Sequence, residues 1–204
     1  SDGYQFNLTM TEQMRVRAIA ASGTQGGDGV PAYLRLNTGV FFDIAENPSL
    51  ALIGESTMLV VDEVADVVEP IPLSAEIHYG QFWIKIHFGE YIDTTPKTRV
   101  DLTKMFVSDV TGGHEIILAG LEVVEDDGYI VTITLDETTR IAAMGMSAGP
   151  GSLDGLGTAS VLDLLPGCVV DVATNPTTVS HTFAMTEYED EDPPVLLSAE
   201  INYT

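Results

Sequence analysis

The side chains that could do chemistry in this sequence are mostly carboxylates, and two groups of them lie close together along the chain. Asp62, Glu63, Asp66 and Glu69 form the first; Glu187, Glu189, Asp190, Glu191 and Asp192 form the second. Calcium takes roughly six to eight oxygen ligands, and neighbouring carboxylates at a joint can supply them while losing their mutual repulsion. All of these residues are therefore candidate calcium ligands. The alternative is a solvated acidic linker, because no ligand spacing of the EF-hand type is present. Asp43 with Asn47, and Asp171 with Asn175, also offer oxygens to a metal, yet an Asp and an Asn followed by Pro equally suit a turn that bonds its own backbone. His78, His87, His114 and His181 are scattered without the close spacing of a zinc site, so surface or strand-edge positions are expected. There is no Gly-x-Ser-x-Gly elbow and no Gly-rich phosphate loop ending in Lys-Ser or Lys-Thr, so a non-enzymatic role is expected. The sequons at Asn7 and Asn202 could carry N-glycans on an exported chain.

Composition narrows the function classes further. Acidic residues number 31 against 8 basic ones, a net charge of −23. Such a surface repels phosphate and attracts inorganic cations, so nucleic acid is a poor partner and a saline or calcium-rich exterior is a suitable setting. The single cysteine, Cys168, has no partner for an internal disulfide and no cationic neighbour to activate it, so it reads as a small core hydrophobe. No apolar run approaches the roughly 20 residues of a membrane-spanning helix.

The elements that position these groups follow from an internal repeat. Pro70-Ile-Pro-Leu-Ser-Ala-Glu-Ile-His-Tyr79 returns as Pro194-Val-Leu-Leu-Ser-Ala-Glu-Ile-Asn-Tyr203, 124 residues later. Asp2-Gly3-Tyr4 and Glu12 to Arg15 return at Asp127-Gly128-Tyr129 and Glu137 to Arg140, an offset of 125. Asp43-Ile-Ala-Glu-Asn-Pro48 returns as Asp171-Val-Ala-Thr-Asn-Pro176, an offset of 128 that places a small insertion in a Gly-rich loop. The organisation expected is the C-terminal half of a repeat over residues 1–69, a complete repeat over 70–193 and the first strand of a third over 194–204. The first stretch then lacks the strands that would cover its core face.

Period-two alternation places Phe82, Ile84, Ile86 and Phe88 on one strand face and Trp83, Lys85 and His87 on the other. Further β-rich runs span 99–107, 115–124, 129–135, 160–165, 168–172 and 178–185, separated by turn signals. Short helices are expected over 137–146 and 12–21, where Ala and Met replace β-branched residues. Gly-rich stretches at 23–29 and 145–157 are expected to be mobile loops. The pattern predicts an all-β protein of tandem immunoglobulin-like β-sandwich domains.

The runs Pro193 to Tyr203, Val100 to Asp109, Thr132 to Arg140 and Asp171 to Pro176 resemble the large S-layer proteins of marine ammonia-oxidising archaea. The Asp-x-Ala-x-Asn-Pro turn is similar to that of Ig-like repeats in bacterial surface proteins and adhesins. The resemblance implies an extracellular, cell-surface protein that packs with copies of itself in a two-dimensional lattice whose acidic pores draw in cations such as ammonium. The competing expectation is a calcium-stiffened Ig-like stalk of a surface adhesin.

Overall fold

The computed structural model describes residues 7–52, 59–149, 158–193 and 195–201. Strands dominate. A five-stranded sheet contains β3 (Pro72–His78), β4 (Trp83–Ile92), β7 (Glu122–Val123), β8 (Gly128–Thr134) and β11 (Thr186–Tyr188), in the order β11-β3-β4-β8-β7. A four-stranded sheet contains β5 (Met105–Ser108), β6 (Ile116–Ile117), β9 (Val161–Leu164) and β10 (His181–Ala184), in the order β10-β9-β5-β6. All pairings in these sheets are antiparallel except β11 with β3. The molecule is thus an all-β fold with two short helices, α1 (Glu12–Ala20) and α2 (Glu137–Gly145).

Alternation explains the core. Ile84, Ile86 and Phe88 of β4 point inward beside Ala75 and Ile77 of β3, and meet Met105, Val107, Leu162 and Leu164 from the other sheet in one continuous apolar cluster. Trp83, Lys85 and His87 occupy the other face, where the Lys85 ammonium lies 3.8 Å from the Trp83 ring centre. Phe82 departs from the expected pattern. It sits in the turn before β4 with a left-handed φ of 60°, and the Arg140 guanidinium lies over its ring.

Three expected strands are also shorter or differently built. The run 99–107 begins in two 3-10 turns, Lys97–Arg99 and Leu102–Lys104, and becomes extended only at β5. Asp101 competes for its own backbone, accepting hydrogen bonds from the Thr103 amide and hydroxyl. The run 115–124 splits into β6 and β7 on different sheets, and 168–172 makes only isolated bridges, because the Asp171 turn interrupts it. Both expected helices form and are capped alike: the Thr11 hydroxyl accepts from the Met14 amide, and the Asp136 carboxylate from the Thr139 amide.

The stretch 7–69 contains α1 and a two-stranded ribbon of β1 (Tyr33–Leu34) and β2 (Leu59–Val60). Ser22 is its one buried residue up to position 69 among those whose side chains are described. The Gly-rich segment 23–29 is not a free loop as expected: a Cβ on Gly26 would lie 2.3 Å from the Val172 carbonyl oxygen, so its backbone is packed against the neighbouring stretch. Residues 150–157 of the other expected loop lie outside the described residues.

Candidate functional site

The acidic joints are built from hydrogen-bond acceptors that hold local structure. Glu187 sits in the middle of β11, at the start of the second joint, and its carboxylate accepts from the Tyr79 hydroxyl at 2.9 Å, the Ser160 amide at 3.0 Å, the Ser160 hydroxyl at 2.7 Å and the Ala148 amide at 2.9 Å. Glu63 has the corresponding role in the first joint, accepting from the Gly23 amide at 3.0 Å and the Ala32 amide at 3.1 Å. Each carboxylate ties the segment after a helix to the start of a strand.

One residue pair ties each helix to its joint. Arg15 of α1 grips Glu12 on its own helix and reaches Asp66; Arg140 of α2 grips Glu137 and reaches Asp190 at 2.8 Å. The Asp/Asn turns also match. In each, the Asn amide and side-chain NH2 both donate to the Asp carboxylate: Asn47 to Asp43 at 2.8 and 2.9 Å, Asn175 to Asp171 at 2.7 and 2.9 Å. The residue before each Asn, Glu46 or Thr174, has a left-handed φ, 62° and 66° respectively. Each turn thus bonds its own backbone, as the sequence reading allowed, and the Asn175 side-chain NH2 also donates to the Asp66 carbonyl at 3.2 Å.

The remaining candidate ligands are dispersed. Glu69 accepts from the Thr178 amide, Asp62 lines a cavity beneath α1, and Glu189 borders a second cavity beside Tyr79. Glu191 and Asp192 lie exposed along the outgoing chain, and the Asp192 amide donates to Asp190. The carboxylates that the fold does gather are Asp66, Glu90 and Asp171, whose oxygens lie within 4.8 Å of one another and could hold a metal ion. Glu90, on β4, carried no signal in the sequence. Its proximity to Asp66 arises from chain segments far apart in sequence, and Asp171 read there as a turn residue that could also offer oxygens to a metal. Arg15 already supplies a cation here, 3.0 Å from Glu90.

Electrostatics follow from this crowding. Burial, reinforced by the Asp171 charge and opposed by Arg15, pushes the Glu90 carboxyl up to about 7. Burial also raises Asp171, against the lowering effect of its Asn175 bonds. Glu12 is lowered, chiefly by its hydrogen bond with Arg15. Tyr79 is raised by burial and by the nearby Glu187 charge.

The histidines do not converge. His78 is stacked between Trp83 and Tyr188, His114 lies against Phe106, His181 is near Phe183, and His87 is 3.6 Å from Glu76. Cys168 is buried in the core, with its thiol raised by that burial. Asn7 is exposed; Asn202 lies outside the described residues.

Two cavities frame the helices. The larger, about 440 Å3, lies between α1 and the first joint and is lined by Ala18, Ile19, Ser22, Ala32, Glu63 and Asp66, among others. The smaller, about 190 Å3, lies beside α2 and is bordered by the Tyr79 side chain with Met144, Ser147 and Glu187. No family model, curated protein or solved structure matches this chain. No helix among the described residues is long and apolar enough to cross a membrane.

Proposed function

We propose that this chain is a structural building unit of a self-assembling cell-surface layer, made of tandem Ig-like β-sandwich repeats and presenting a cation-attracting acidic surface. The observation that carries this reading is the recurrence, at offsets of 124–128 residues, of one set of bonds: helix cap, Arg clamp, joint carboxylate and Asp/Asn turn. Recurrence of a whole mechanical connection, rather than of a reactive constellation, suits a protein whose task is to repeat. The net charge of −23 adds an exterior that must be screened by cations before copies can approach.

The test is electron microscopy of the purified chain with and without millimolar divalent cation. Ordered sheets that appear with the cation support the proposal, and discrete particles under both conditions count against it. One observation favours a second reading, a calcium-stiffened adhesin stalk: the gathering of Asp66, Glu90 and Asp171 at a joint. On that reading the melting temperature climbs steeply with calcium and falls with a chelator, beyond the change given by sodium at equal ionic strength.

A further inference from the structure

The two Arg clamps match within their own stretches but differ in reach. Arg140 grips Glu137, reaches Asp190 and lies over the Phe82 ring, all within residues 72–193. Arg15 grips Glu12 and reaches Asp66 in the same manner, but it also donates to Glu90 at 3.0 Å. Glu90 belongs to β4, so this one guanidinium spans the helix, the first joint and the five-stranded sheet. Arg15 also shapes the next contact along β4. It holds Glu12 through two nitrogens at once, and a Glu12 oxygen so placed accepts from the Tyr91 amide at 3.3 Å.

The joint itself does little to set the angle between the stretches. Residues 61–71 form no helix or strand, and Val64, Val67 and Val68 are exposed. Further bonds across it are single ones: the Asn175 side chain to the Asp66 carbonyl at 3.2 Å, the Gln25 side chain to the Thr174 hydroxyl, and the Thr178 amide to Glu69. Polar contacts of this kind leave two units free to move unless something stronger holds them. Around Arg15 the charges come from every element that meets there: Glu12 from α1, Asp66 from the joint and Glu90 from β4, with Asp171, from the turn after β9, beside the last two. Without the guanidinium these carboxylates would face one another uncompensated in a partly buried place, where repulsion is weakly screened.

We propose that Arg15 is the key of an angle lock between the two stretches: its guanidinium closes the joint by bonding Glu12, Asp66 and Glu90 together, in the place a metal ion would need. Of the six carboxylate oxygens of Asp66, Glu90 and Asp171, five already accept a hydrogen bond, one from the Val68 amide, two from Arg15 and two from Asn175. Calcium would have to displace those donors and sit against a fixed positive charge. The lock therefore holds without calcium. Lysine cannot replace the key, because a single ammonium lacks the planar fork that takes Glu12 through two nitrogens while reaching acids on either side. The lock does not depend on the chain working in a surface layer, and it weighs against calcium stiffening at this joint.

The test is pulsed electron paramagnetic resonance on the full chain, with spin labels on Gln13→Cys in α1 and Thr98→Cys in the turn Lys97–Arg99, both exposed positions; the native Cys168 is buried. The chain with Arg15 intact is expected to give one narrow distance distribution, unchanged by millimolar calcium or by a chelator. Arg15→Gln should lose that single distribution, which broadens and moves to longer distances, and Arg15→Lys should broaden it less. Arg140→Gln, which cuts the matching clamp inside the other stretch, should leave it unchanged. Arg15 lies outside the buried core, so every variant should keep the cooperative melt, which tells a loosened joint from an unfolded chain. A distribution as narrow in Arg15→Gln as in the parent, or equal broadening by Arg140→Gln, overturns the lock. A parent distribution that narrows with calcium or broadens with the chelator overturns Arg15 as the cation that closes it.

Discussion

Asp43 with Asn47 and Asp171 with Asn175 make the same two hydrogen bonds, yet their carboxyls are driven in opposite directions. Asp43 is held below its ordinary range by those bonds; Asp171 is raised because burial outweighs them. The same contrast runs through the two stretches that hold these turns. Leu8, Met10 and Tyr33 are 78%, 52% and 48% exposed, whereas the residues at the corresponding places, Ile133, Leu135 and Val161, are 0%, 3% and 8% exposed. Local bonds recur wherever the local sequence recurs. The core appears only where the strands of residues 72–134 are present to cover it. Short-range hydrogen bonding and long-range apolar burial are therefore separable here, and the second decides the electrostatics of the first.

The largest expected break in this symmetry is in the core. Leu135→Ala should cost about 2–5 kcal/mol through lost burial and a residual cavity, while Met10→Ala at the matching place should stay within about 0.5–1 kcal/mol; denaturant unfolding of the two variants measures both. Comparable losses would mean that residues 7–69 share a core after all.

Next comes the contact between the stretches. Gly26 and Gly29 both adopt left-handed φ, at 87° and 82°, but only Gly26 faces the Val172 backbone; nothing lies near Gly29. Gly29→Ala should cost about 1 kcal/mol from backbone strain alone. Gly26→Ala should cost about 2 kcal/mol or more, because steric displacement of Val172 and Ala173 is added. Equal effects would remove the packing between the stretches from the account.

Acidity sharpens the comparison further. Glu90 has a folded value of about 7, above its ordinary value of 4.5. A carboxyl raised by folding stabilises fully below its unfolded value, and that contribution is lost as pH rises through the folded one. Glu90→Gln, which keeps an acceptor for Arg15, should gain on the native chain by about 1–2 kcal/mol between pH 4.5 and 8, after allowance for partial solvent screening. Melting temperatures across that range, compared between the two chains, give the sign. The smallest effect is the pair of aspartates itself: carboxyl titration by NMR should place the Asp43 midpoint below the ordinary range and that of Asp171 above it. Coincident midpoints would contradict the contrast.

Much of this was readable from the residues. Alternation in β4, capping residues ahead of both helices and the Asp/Asn turns all depend on neighbours within a few positions, and they form where the pattern puts them. The recurrence of Glu12 to Arg15 and of the joint carboxylates also anticipated which groups would do the same job twice. What eluded sequence reasoning was decided at longer range. The pairing of Asp66 with Glu90 and Asp171 needs the fold to bring the joint to the end of β4. The run 168–172 looked like a strand because its apolar residues are buried, but Asp171 closes a turn within it. Phe82 fitted the inward face by spacing, and the turn into β4 rotates it out to Arg140. The acidic joints read as pools of free ligand oxygens, whereas Glu63, Glu69 and Glu187 are acceptors for backbone amides brought from elsewhere.

The claim that burial, not local bonding, separates the two stretches is tested most directly by amide hydrogen exchange at four donors. The Gly23 and Ala32 amides bond to Glu63, and the Ala148 and Ser160 amides bond to Glu187 in the same way. In the dilute chain, the Ser160 amide should exchange at least about a hundredfold more slowly than that of Ala32, while the exposed Ala148 and Gly23 amides should exchange alike, because only Ser160 lies under a covered core. Equal protection at all four positions would contradict it.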